Sequence, residues 1–117
     1  MKAIIELSCK GSIFKAAAEQ IAGARRGRSP DYRLSFESAR SMFAELTPAR
    51  LDLLDTLRRA GACSVYALAK AAERNYSNVH ADVARLEELG LVERSADGAV
   101  SVPFDAVEIR YPLAQVA

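Results

Sequence analysis

The chain is poor in the residues that most often carry chemistry. Histidine occurs once in 117 residues, as His80, tryptophan is absent, and cysteine occurs twice, at Cys9 and Cys63. The cysteines stand far apart, with no CxxC and no Cys/His partner at ligand spacing, so no metal site is expected. They read as reduced thiols of a cytoplasmic protein rather than as a disulfide framework. A Gly-rich phosphate loop, a nucleophile elbow and a well-spaced pair of carboxylates are also missing, which argues against an enzyme and against a nucleotide cofactor. No apolar run reaches the ~20 residues of a membrane helix. The opening MKAIIELSCKG is interrupted by Glu6 and too short for a secretory leader. No membrane partner is expected.

What is present is an ordinary globular balance, with half the residues hydrophobic and 26% charged, in a length that suits one modest core. The net charge of +1 hides an asymmetry. Residues 1–40 hold eight Lys/Arg against four Asp/Glu, whereas residues 41–117 hold eight against eleven. A basic half that also carries apolar periodicity is expected to be folded rather than a polyanion-binding tail.

Residues 2–7 (KAIIEL) are β-branched and alternating enough for a strand. Ser12 is placed to cap a helix over residues 12–24, with Ile13, Phe14, Ala17 and Ile21 on one face. A Gly- and Arg-rich loop closed by Ser29-Pro30 follows, then a short strand at residues 32–36 and a helix over residues 36–46. From Thr47 the pattern sharpens. Thr47 caps and Pro48 opens a helix striped with Leu51, Leu54 and Leu57 and stopped by Gly61. Ser64 caps a shorter helix whose Val65, Leu68, Ala69 and Ala72 face inward. After a turn at Glu73, Arg74 and Asn75, a third helix carries Val79, Val83, Leu86 and Leu89 on one side and ends at Gly90. Asp97-Gly98 between two β-prone runs predicts a hairpin, and residues 106–113 alternate as a last strand.

Three helices, the last two separated by a short turn, followed by a hairpin, is the order of a winged helix-turn-helix. The expected fold is mainly α with a small β component. Residues 1–36 form a strand-helix segment read as dimerising, and residues 37–117 the winged helix with a C-terminal strand.

The lone histidine is then decided by its position on the third helix. Opposite the apolar stripe lie Ser77, Ala81, Ala84 and Glu88, with His80 and Arg85 on the shoulders. Thus His80 is expected to be exposed and not paired with Asp82. It lacks a second ligand at helical spacing and an oriented nucleophile. Two readings stay open for it, a solvated polar residue and a DNA contact. On the second reading Asn75, Tyr76, Ser77, Asn78 and His80 address bases or phosphates, and Ala81 meets a thymine methyl. Arg74 and Arg85 reach the backbone, and Arg94 does so from the wing. In the loop, Arg25, Arg26 and Arg28 either flank the backbone or are a solvated connector. So few phosphate contacts per chain point to a dimer.

The runs RLSFES, LTPARLDLLDTLRRAG, SVYALAKAAERNYSNVHADVARLEELGLVE and VSVPFDAVEI together resemble small prokaryotic MarR-like winged-helix regulators, over roughly residues 32–113. The resemblance implies a DNA-binding regulator that represses its own operon. Many such proteins resemble antitoxins, which implies a small neighbouring toxin as a second partner. A protein-protein interaction module built on the winged helix is the further alternative, suggested by Ala81, Ala84 and Glu88 on the outward face. The position after the family's histidine is often basic, and here it is Ala81. A long C-terminal dimerisation helix is missing, so the small-molecule site that goes with it is not carried over.

Overall fold

The computed structural model describes residues 1–7 and 31–113. The helix expected over residues 12–24 and the loop arginines Arg25, Arg26 and Arg28 lie outside the described residues. The chain divides into two compact units, Met1–Glu45 with Phe104–Ala117, and Leu46–Pro103.

The first unit is built on a three-stranded parallel sheet. Strand β1 (Ala3–Leu7) lies between β2 (Tyr32–Phe36) and β5 (Val107–Arg110), with Ala3 opposite both Tyr32 and Val107. Ala3, Ile4 and Ile5 are buried in succession, so the middle strand is covered on both faces, as parallel strands usually are. Both ladders are anchored at their start. The Tyr32 N–H donates to the Lys2 carbonyl at 3.0 Å, and the Ala3 N–H to the Ala106 carbonyl at 3.0 Å. Ion pairs join the strands across the sheet, Lys2 with Glu108 at 2.9 Å and Arg33 with Glu6 at 3.1 Å. The rings of Tyr32 and Phe104 stack at 5.7 Å. Helix α1 (Ala39–Glu45) starts where the Ser38 hydroxyl accepts the Ser41 N–H, and it buries Met42.

The compact units differ from the sequence-based division between residues 36 and 37. The last strand does not continue from the hairpin as part of the winged helix; it pairs with β1. It is also shorter than residues 106–113, ending before Tyr111-Pro112, where proline has no N–H to give a ladder.

The second unit is contiguous in sequence. Helix α2 (Pro48–Ala60) is capped by Thr47, whose side chain accepts the Arg50 N–H at 3.2 Å. It buries Leu53, Leu54 and Leu57, while Leu51 is only half-buried, so the apolar face is rotated from the expected stripe. Helix α3 (Val65–Ala72) is capped by Ser64 and buries Val65, Leu68 and Ala69. Helix α4 (Tyr76–Glu88) is capped by Asn75 and buries Val79, Val83 and Leu86 completely. Strands β3 (Glu93–Arg94) and β4 (Val100–Ser101) form the antiparallel hairpin. At its tip the Asp97 carboxylate accepts the Ser95 hydroxyl and the Ala99 N–H, and Gly98 takes a φ of +90°. Cys63 and Val100 exchange backbone hydrogen bonds at 3.1 and 2.8 Å, tying the loop before α3 to the hairpin. Three helices and a hairpin so joined are a winged helix-turn-helix.

Candidate nucleic-acid interface

The site is the side of α4 turned away from its buried residues. Ser77, Asn78, His80 and Ala81 are all exposed there, and Ala84 and Arg85 are half-buried. This is the face that the periodicity of the sequence predicts. Asn75 has a structural task as well, because its Oδ1 accepts the Ser77 N–H at 2.8 Å and the Asn78 N–H at 3.3 Å. An asparagine in this position satisfies two donors that the first turn of a helix leaves unpaired.

Two helix ends set where α4 begins and stops. At the end of α3 the Arg74 N–H reaches the Ala69 carbonyl and the Glu73 N–H reaches the Lys70 carbonyl, with Glu73 at a φ of +54°. At the end of α4 the same pair of bonds runs from Leu91 to Leu86 and from Gly90 to Glu87, with Gly90 at +79°. Both are Schellman ends, but only the second has the glycine that such an end favours.

The orientation of α4 is held by Asp82. Its carboxylate takes Arg50 of α2 at 3.1 Å on one oxygen and Arg74 of the turn at 2.7 Å on the other. Partial burial alone would raise the Asp82 carboxyl. The hydrogen bonds from Arg74 and Arg50, with their two charges, outweigh that and hold it below the ordinary carboxylate range. Arg74, expected to reach a DNA backbone, therefore has a carboxylate partner inside the unit.

The two cations expected at the other end of the face also have carboxylate partners. Arg85 pairs with Glu88 at 2.6 Å, one turn along α4. Arg94 crosses from the wing to Glu87 at 2.6 Å and also donates to the Gly98 carbonyl at 3.3 Å. The hydrogen bond from Arg94 to Glu87 holds its guanidinium above its ordinary pKa. Glu87 thereby ties the wing to α4.

Sequence reasoning missed a row of side chains that crosses from α3 to α4. The Tyr66 and Tyr76 rings lie 6.4 Å apart, and the Tyr76 and His80 rings 5.7 Å apart. Lys70 stands over the Tyr66 ring at 5.6 Å. The signal was present, because Tyr66 and Lys70 are four residues apart and opposite Val65, Leu68 and Ala69. Among the described residues, no three His, Cys, Asp or Glu side chains are placed to hold a metal. No described helix is long and apolar enough to cross a membrane.

Residues 45–109, more than half of the chain, match the HVO_A0114 family. The chain belongs to that family. The HVO_A0114 match runs from the end of α1 through the whole winged helix into β5, and it lends no separate support to the MarR-like resemblance. No curated protein matches the chain. Among solved structures, the chain is similar to the homodimeric winged helix-turn-helix DNA-binding domain Mb0332 (fragment 1–100) from Mycobacterium bovis, described as a possible ArsR-family transcriptional regulator. The identity is 22% and the TM-score 0.47, with 81% of this chain and 74% of that one covered. The fold is assigned from the elements themselves.

Proposed function

We propose that the chain is a sequence-specific regulator of transcription that binds double-stranded DNA as a homodimer and represses its own operon. It acts by binding rather than catalysis and uses no metal or cofactor. One observation carries this reading, the division of α4 into a fully buried side and an outward side bearing Ser77, Asn78, His80 and Ala81. A helix so presented, with a short bracing helix before it and a wing after it, fits the major groove. Asn78 offers a donor and an acceptor to an adenine edge, Ala81 a methyl contact to thymine, and Ser77 and His80 hydrogen bonds to bases or phosphates.

A dimer suits the charge inventory. With Arg74, Arg85 and Arg94 all paired to carboxylates, one chain has few cations for phosphates, and two copies double the footprint. In this reading the first unit joins the copies and the winged helices read half-sites.

The test is a fluorescence-anisotropy titration of a labelled duplex from the region upstream of the chain's own gene, beside a scrambled duplex, at several salt concentrations. Selective binding with two chains per duplex is expected. Asn78→Ala with His80→Ala should weaken operator binding about 30-fold or more, since each good base contact is worth about 1–3 kcal/mol. The scrambled duplex should be affected far less. Weak and equal binding of both duplexes by the wild-type chain would overturn the reading. A second reading then takes its place, a winged-helix module for protein partners, among them a small toxin from a neighbouring gene. The pairing of Arg85 and Arg94 with glutamates favours it, because it lowers the positive charge of the face.

A further inference from the structure

We infer that α3 supplies a second DNA-contacting element, in which Lys70 and Tyr66, continued by Tyr76 and His80, clamp the sugar-phosphate backbone of one strand beside the groove that α4 enters. This rests on the duplex-DNA reading and adds to it two residues outside the helix and wing.

The charge inventory of the winged-helix unit leaves one cation over. Arg50 and Arg74 bind Asp82, Arg59 binds Asp55, Arg85 binds Glu88 and Arg94 binds Glu87. Arg58 donates to the Val102 carbonyl. Lys70 is the remaining cation, and among the described residues it has neither a carboxylate nor a carbonyl partner; its contact is the Tyr66 ring. An ammonium left in this state is the group of this unit best able to take a phosphate at no cost in broken ion pairs.

The rings beside it are exposed. Tyr66 is 63% and Tyr76 48% exposed, so the pair does not serve the core. A tyrosine on a surface presents an apolar body to a sugar and a hydroxyl to a phosphate oxygen. The row is also continuous with the recognition face, since Tyr76 and His80 stand one turn apart on α4 and Tyr66 lies across from them on α3. The rings are tilted against one another at 48° and 42°, and Lys70 lies over Tyr66. They therefore offer edges and hydroxyls rather than open faces, which suits a duplex backbone and not the stacking of single-stranded bases.

The experiment is the same anisotropy titration, carried out across salt with Lys70→Gln, Lys70→Arg and Tyr66→Phe in the full chain. A backbone contact predicts that Lys70→Gln weakens binding to the operator and scrambled duplexes by the same factor. The slope of log K against log salt should become shallower by about 0.9, so that the loss between about 50 and 200 mM salt shrinks roughly threefold. Lys70→Arg should keep the wild-type slope. Tyr66→Phe, which keeps the ring and removes the hydroxyl, should weaken both duplexes alike without changing the slope. Selective wild-type binding with an unchanged slope and affinity in Lys70→Gln would overturn this inference and leave the regulator reading standing. Failure of the wild-type chain to bind either duplex would overturn both. Tighter binding of a single strand than of the duplex would replace the backbone clamp with base stacking.

Discussion

The first two turns of α4 and its last two use their polar residues differently. In the first half Ser77, Asn78 and His80 face outward and are exposed, beside an aromatic row and an ammonium without a carboxylate. In the second half the charges are answered close by, Arg85 by Glu88 on the same helix and Glu87 by Arg94 of the wing. One helix thus carries, in its first turns, exposed polar groups beside an ammonium without a carboxylate and, a turn or two later, charges that cancel one another. The sign of the local charge is set by pairing and not by the count of arginines, which is why composition alone does not give it.

Breaking the brace that both halves share should have the largest effect. Asp82→Asn removes a carboxylate that holds two arginines and leaves Arg74, whose Nη1 is already buried without a partner, more poorly served. The expected loss is about 2 kcal/mol of stability at pH 7, from hydrogen bonds to a charged group, read from denaturant midpoints. The pH dependence has a definite sign. Because the folded-state pKa is lowered, the contribution is complete above the ordinary aspartate value of about 3.9 and is lost as pH falls through the lower folded value. The gap between wild type and variant should therefore close in acid, and a gap that stays constant there would argue that Asp82 acts through packing instead.

The contrast between the halves can next be erased. Glu87→Gln should release Arg94, steepen the salt slope of duplex binding by about 0.9 and raise affinity a few-fold at low salt. An unaltered slope would place the wing away from the phosphates. The smallest effects belong to the two Schellman ends. Glu73→Gly should stabilise by about 0.5–1 kcal/mol by removing a left-handed non-glycine, and Gly90→Ala should destabilise by about as much. Thermal denaturation distinguishes them, and equal signs for the two would contradict the shared end geometry.

Much of the winged helix was legible in the sequence because its signals are local. Thr47 and Ser64 each accept a donor three residues on, and the Val79, Val83, Leu86 period fixes which side of α4 is buried. The hairpin followed from Asp97-Gly98 for the same reason. The pairing of β5 with β1 was not legible, since Ala3 and Val107 meet across almost the whole chain and nothing in the VEIR run names its partner. Nor was the fate of the arginines, because Arg50 and Asp82 are 32 positions apart.

By itself the sequence determined the helices of the winged-helix unit, their ends, the wing and the outward position of His80. Those features depend on dihedral preference, capping and helical period, all acting within a few residues. Only the tertiary structure decided that the two ends of the chain share one sheet, that Asp82 draws Arg50 and Arg74 together, and that Tyr66, Tyr76 and His80 line up beside Lys70. Each of those joins residues from separate elements, and distance in space, which sets both packing and Coulomb energy, is not written in the order of the chain.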